Sequence, residues 1–318
     1  ALTMRVLMVT NMFPTDINPT SGVQVKLQTE SLRELGIDVD ILFMNVRESR
    51  FKLNYIKGIW RVAWKTLLNR YDVVHAHFGL SGFVALFQFR SPVVVSFAGG
   101  DVMHPYVGKL SRMVARRVNA SIVKSDSMKT ALRNKDAYII PNGVDFSFFR
   151  PMLMEEARGV LALDKTKKYV LFVGDKGGRV KRFDLIERAF KIAKEGYKGD
   201  LELISVYKRP QSEIPIYMNA CNVLVLASDW EGSSNVTKEA MACNLPVVSV
   251  DVGDAREMIN GTMGCFICER RPVSIANGLL KVLRSNTGTN GRERIQHLAS
   301  ESVAKQIIEV YKKVIVGK

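Results

Sequence analysis

No apolar run in this sequence reaches the eighteen or so residues that a membrane-spanning helix needs. The first residues, Ala1-Leu2-Thr3-Met4-Arg5-Val6, also lack a basic leader followed by an apolar core. Both absences predict a cytoplasmic protein. Cysteine is scarce, with four residues at 221, 243, 265 and 268. Cys265-Phe-Ile-Cys268 has metal-ligand spacing, but Cys221 and Cys243 do not form the second pair that a closed zinc site wants, so buried thiols and no metal are expected. Repeats of about 20 to 50 residues and low-complexity segments are missing too. Acidic residues fall short of basic ones, 31 against 46, and the formal charge of +15 favours anionic partners such as phosphates or acidic lipids. Without an RNA-recognition motif or zinc-finger spacing, a nucleic-acid partner is not expected.

What is present is an alternation of short β-branched runs with amphipathic segments. Arg5 to Thr10, Val39 to Met44, Asp72 to Ala76, Pro92 to Phe97, Ser121 to Lys124 and Tyr138 to Pro141 read as strands. The pattern breaks at the turn signal Pro141-Asn142-Gly143-Val144-Asp145. It resumes with Tyr169 to Val173, Leu201 to Val206, Val223 to Ala227, Val247 to Val250 and Cys265 to Ile267. The fold class is α/β, with two doubly wound, Rossmann-like domains expected to face each other across a cleft. The expected boundaries are 1–145 for an N-terminal domain and 146–300 for a C-terminal domain. Residues 301–318 are expected to form a closing helix packed back toward the N-terminal domain.

Ligands of open parallel sheets bind outside the carboxyl ends of the strands, which directs attention to the residues just after each run. The most informative segment is Ser228-Asp-Trp-Glu231-Gly232-Ser233-Ser234-Asn235-Val-Thr-Lys238-Glu239, following one strand and opening a helix. Gly232 permits close backbone approach, Ser233, Ser234 and Asn235 can cap, and the first-turn amides make an anion site that suits a diphosphate. Glu231 and Glu239 stand roughly 10 Å apart at 1.5 Å per helical residue, so a phosphate-centred ligand could present hydroxyl groups to a carboxylate at each end. The plainer alternative is that Glu231 complements the helix dipole and Glu239 is a solvated face residue.

Glu231 and Glu239 match the E-x7-E motif, and here the chain resembles the family-4 retaining glycosyltransferases, also called glycosyl transferases group 1, of GT-B fold. The stretches Ile214 to Glu231 and Lys238 to Ser249 resemble the same family on either side of the motif. Asn11-Met-Phe-Pro-Thr and Ser21-Gly22-Val-Gln24 resemble its N-terminal loop, and Ile140 to Asp145 its interdomain turn. The resemblance implies a metal-independent, retaining transfer of a hexose-type sugar from a UDP- or GDP-linked donor, with no cofactor. It implies that Glu231 contacts the transferred sugar, that Glu239 holds the ribose, and that Gly22 closes over the diphosphate. Lys181, in Val173-Gly174-Asp175-Lys176-Gly177-Gly178-Arg179-Val180-Lys181, carries over as the cation that stabilises the leaving diphosphate. The family places an arginine where Asp175 stands, and Arg179 is the candidate replacement. Ala98 stands where many members have a sugar-contacting histidine. His77, Asp101, His104 and Asn142 are the remaining candidates for sugar or acceptor contact, with core packing equally open for His75 and His77. Asp38-Val39-Asp40 has the spelling of a metal-binding Asp-x-Asp loop but reads as a strand entrance.

Between residues 47 and 70, Arg50, Lys52, Lys57, Arg61, Lys65 and Arg70 are interleaved with Phe51, Tyr55, Trp60 and Trp64. Trp60 and Trp64 share a helical face with Ile56 and Leu67, which suits a peripheral contact with the anionic inner face of a membrane and a lipid-linked saccharide acceptor. Packing of both tryptophans on the sheet is the alternative. Three rival functions stay open: a noncatalytic sugar-nucleotide-binding protein, a sugar-nucleotide epimerase of related fold, and an NAD-dependent dehydrogenase. Asn11-Met-Phe-Pro-Thr in place of a tight Gly-x-Gly-x-x-Gly turn argues against the dehydrogenase.

Overall fold

A computed structural model describes residues 3–46, 53–285 and 287–317. Contacts divide the chain into two compact units, Ala1–Gly143 with Ser300–Lys318, and Val144–Ala299. In the first unit the strands are β1 (Arg5–Thr10), β2 (Asp38–Phe43), β3 (Val73–His77), β4 (Val93–Ser96), β5 (Ala120–Val123) and β6 (Tyr138–Ile139). They form a parallel six-stranded sheet in the order β2-β1-β3-β4-β5-β6. Every residue of β3, β4 and β5 is buried, as a parallel sheet covered on both faces requires.

Helix α1 (Val23–Glu34) packs on one face of this sheet. On the other lie α2 (Leu53–Leu68), α3 (Gly79–Ala85), α4 (Gly100–Met103), α5 (Val107–Ala115) and α6 (Asp126–Leu132), sharing a core with Leu7, Val74, Val93 and Val123.

The second unit begins with α7 (Met154–Val160) and then repeats the alternation. Its strands are β7 (Lys168–Val173), β8 (Leu201–Val206), β9 (Val223–Leu226), β10 (Val247–Val250) and β11 (Phe266–Cys268), all parallel, in the order β11-β10-β9-β7-β8. The helices are α8 (Phe183–Gly196), α9 (Ile214–Ala220), α10 (Asn235–Ala242), α11 (Ala255–Ile259), α12 (Pro272–Ser285) and α13 (Gly291–Arg294). One continuous core runs through them. All eleven apolar runs singled out in the sequence became strands, with ends shifted by at most two residues.

The last helix, α14 (Ser300–Val316), belongs to the first unit and packs beside α1, on the face opposite α2. Its Tyr311 hydroxyl lies 2.5 Å from Nδ1 of His75 on β3, whose Nε2 in turn meets Ser96 Oγ at 2.8 Å. Burial pushes the His75 imidazole down to about 3, so it is a neutral core residue. Among the described residues, no helix is long and apolar enough to cross a membrane.

Candidate functional site

In an open parallel sheet, the crevice lies where strand order reverses. In the second unit that point falls between β7 and β9, whose following loops run side by side. The loop after β7 carries Lys181 at the end of a single 3-10 turn, Arg179–Lys181, and the loop after β9 carries Glu231. Their side chains meet, with Lys181 Nζ 2.5 Å from Glu231 Oε1, both half-buried.

Three further links brace the loop after β9. Asp229 N donates to Val180 O at 2.9 Å. Arg182, in left-handed backbone at φ 50°, donates to Asp229 at 3.1 Å and to both oxygens of Asp184. Arg270, beyond β11, donates to the carbonyls of Ser228 and Asp229. The sequence reading did not single out Arg182 or Arg270. Arg179 rides on the same turn as Lys181 but is exposed, and it pairs with no described residue. Asp175, where the family pattern has arginine, takes the Gly177 amide at 2.9 Å and so closes its own turn.

Beyond Glu231 the chain passes Gly232 and enters α10. Ser234 is the N-cap, accepting from the Thr237 amide, and its own amide donates to Asp254 Oδ1 at 3.1 Å. Ser233 Oγ donates to Asp254 Oδ2 at 2.5 Å and receives the ammonium of Lys238, which also lies 3.3 Å from Asp254 Oδ2. These three side chains are buried, and desolvation lowers the Lys238 pKa against the pull of Asp254. Both serine hydroxyls thus face inward and fix the loop, Ser234 in the capping role open to it from the sequence. Their organiser, Asp254, was missed, although Gly253-Asp254 follows β10 as Gly232 follows β9. At Gly253 (φ 59°) a Cβ would come within 3.1 Å of Glu231 O, so this turn packs directly beneath the loop.

Glu239 lies in the middle of α10, half-buried, with no hydrogen-bond donor among the described residues. Burial pushes its carboxyl up to about 7, and the charge of Lys238 only partly offsets this. A half-buried carboxylate without a partner, close to the Lys181–Glu231 pair in sequence and topology, is poised to accept hydroxyl groups.

In the first unit the reversal falls between β1 and β3. Gly22 is the N-cap of α1 at φ 70°, and a Cβ there would come 2.4 Å from the carbonyl of Met12, so only glycine fits. His77 ends β3, buried, with Nε2 3.3 Å from Gln28 Nε2 and its ring stacked on His75 at 4.7 Å; burial holds its pKa well below the ordinary value. Asp101 spends its oxygens on the amides of Ala98, Gly99 and Gly79, at 3.0, 2.9 and 2.9 Å. Through these amides Asp101 braces the loop after β4. His104 is exposed, and its Nδ1 accepts from the Tyr106 amide at 3.3 Å. Asn142 lines a small cavity with Gln24, Gln28 and Ser300.

Asp38 and Asp40 answer Arg5, at 3.2 and 3.1 Å, and Asp40 also answers Lys65 at 3.5 Å. Among the described residues, no three His, Cys, Asp or Glu side chains gather as a metal site. All four cysteines are free thiols; Cys221 and Cys243 are pushed up to about 12 by burial. Of the basic stretch 47–70, Arg47, Arg50, Phe51 and Lys52 lie outside the described residues.

Comparison with known proteins matches residues 21–148 to the model of glycosyltransferase family 4 and residues 152–285 to that of glycosyl transferases group 1. The putative teichuronic acid biosynthesis glycosyltransferase TuaC of Bacillus subtilis is 24% identical, over 87% of this chain and 89% of its own. Sucrose-phosphate synthase from Thermosynechococcus elongatus superposes with a TM-score of 0.80 at 20% identity, over 99% of this chain and 100% of that one. HepE of Anabaena, solved with UDP and glucose, gives 0.74 at 16% identity, over 98% and 100%. The fold is GT-B, with two Rossmann-like units, and the chain belongs to the family-4, or group 1, glycosyltransferases.

Proposed function

We propose that this glycosyltransferase moves a hexose-type sugar from a UDP- or GDP-linked donor to a glycan or lipid-linked saccharide, with retention of configuration and without a metal. The second unit binds the donor and the first handles the acceptor. The observation that carries the reading is the Lys181–Glu231 pair at the strand-order reversal, followed on α10 by Glu239, which meets no hydrogen-bond donor among the described residues. The diphosphate leaves with increased negative charge, and the Lys181 ammonium stabilises that charge as it develops. Glu231 accepts hydroxyl hydrogens of the sugar, and Glu239 those of the ribose. Gly232 and the start of α10 give the phosphates a close backbone approach. The UDP-containing structures of HepE, which share the fold, support the donor class. Retention and metal independence rest on family membership and on Lys181 as the positive charge.

The experiment follows from Glu239. Its carboxyl, raised to about 7, is neutral below that pH and charged above it, and only the charged form accepts from both ribose hydroxyls without donating. A donor therefore pulls the pKa down and releases a proton on binding. Affinity for a nucleotide sugar should rise as pH increases from about 6 to 8, by up to tenfold per unit below the pKa, then level off. Isothermal titration with UDP- and GDP-linked sugars checks this, because their diphosphate diesters have no group titrating in that range. In Glu239→Gln binding should be weaker and flat with pH. A pH-independent affinity in the wild type contradicts the role given to Glu239.

A further inference from the structure

Helix α2 divides into three faces. Val62 and Thr66 are buried, with Tyr55 and Ile59 packed on the same core. Ile56, Trp60, Trp64 and Leu67 project from another face, with Leu53 and Leu68 beside them, and all six are exposed; Trp60 is 74% and Trp64 64% accessible. Lys57, Arg61 and Lys65 run along the seam between the two. The helix contains no acidic residue. At its C-terminal end Arg90 donates to Leu67 O at 3.2 Å, which sets Phe89, 87% accessible, beside the apolar face. The tryptophans thus do not pack on the sheet.

Such a face is costly in water, and its composition is selective. Indole rings favour the boundary between hydrocarbon and headgroups, while long cationic side chains at the edge reach phosphates. The remaining helices on this side of the sheet supply more cations, Lys109 and Arg112 from α5, Arg116 and Arg117 just after it, and Lys129 from α6. A protein partner would need its own apolar patch; a bilayer with anionic headgroups answers both the rings and the charge. We propose that α2 and the Phe89 loop form an interfacial docking face for an anionic lipid bilayer, with the tryptophans at headgroup level and Lys57 and Arg61 paired with lipid phosphates. The docked enzyme would meet lipid-linked acceptors at the surface. Docking does not depend on the donor chemistry, so each stands or falls separately.

The test is flotation with phosphatidylglycerol–phosphatidylcholine vesicles, with pure phosphatidylcholine as the comparison. The chain should float with the anionic vesicles at low salt and be released by high salt. Each cation near such a surface contributes about fivefold in binding, so Lys57→Gln with Arg61→Gln should bind about 30-fold more weakly. Trp60→Ser with Trp64→Ser should abolish flotation while leaving the circular dichroism spectrum unchanged, since these side chains are exposed. Absence of flotation by the wild type at low salt overturns the proposal, as does wild-type binding by both double variants. Sedimentation showing a dimer that the tryptophan variant converts to monomer would assign the face to a second copy and overturn it as well.

Discussion

Replacing Lys181 by alanine should lower kcat for sugar transfer by about 10²- to 10³-fold while raising KM for the donor less than about tenfold. The asymmetry comes from timing. A bound nucleotide sugar already carries two phosphate charges that the start of α10 can stabilise, but the charge released when the glycosidic bond breaks appears only in the transition state. A cation that meets that charge contributes mainly to kcat. Lys181 is held by the 3-10 turn after β7 and by the links between that turn and the Glu231 loop, the position the proposed role requires. Lys181→Ala also leaves the half-buried Glu231 carboxylate without its partner, which disturbs the loop proposed to meet the sugar. Glu231→Gln separates the two effects, because it removes the ion pair and keeps the cation. Steady-state kinetics with product detection reads the outcome. A Lys181→Ala enzyme with unchanged kcat would remove the leaving-group role.

Asp254→Ala should destabilise the fold by about 3 to 5 kcal/mol, the usual cost of leaving a buried charge unpaired. Lys238 is almost wholly buried, and Asp254 pairs with it at 3.3 Å. Losing Asp254 also strips the Ser233 hydroxyl and the Ser234 amide of their acceptor. Denaturant unfolding measures the loss. Asp254→Leu combined with Lys238→Met should recover most of it, because removing both charges leaves neither unpaired, whereas a solvated surface pair would cost little in either variant. The double variant should still bind donor poorly, since the loop between Glu231 and α10 loses its brace.

The strands are legible because burial on both faces of a parallel sheet demands β-branched runs such as Val93–Ser96 and Val247–Val250. Of the proposed site, the positions in the fold are legible: Glu231 precedes α10, Glu239 lies within it, and Lys181 sits beyond β7. What one sequence withholds is partnership across loops. Asp254 lies twenty residues from Ser234 and becomes visible only once β10 is placed beside β9. Asp101 reads as a ligand because a loop carboxylate after a strand can serve either a sugar or its own backbone, and the fold assigns three amides to it. The same holds for Trp60 and Trp64, whose spacing fixes a common face but not whether that face is covered.

In the proposed function, Lys181 meets the outer part of a nucleoside diphosphate in the second unit. Titration calorimetry with matched nucleoside monophosphates and diphosphates, on wild type and Lys181→Ala, tests it most directly. The wild type should bind one diphosphate per chain, at least tenfold more tightly than the monophosphate of the same base, and the variant should lose most of that preference. Equal preference in the two proteins, or no nucleotide binding by the wild type, would contradict the account.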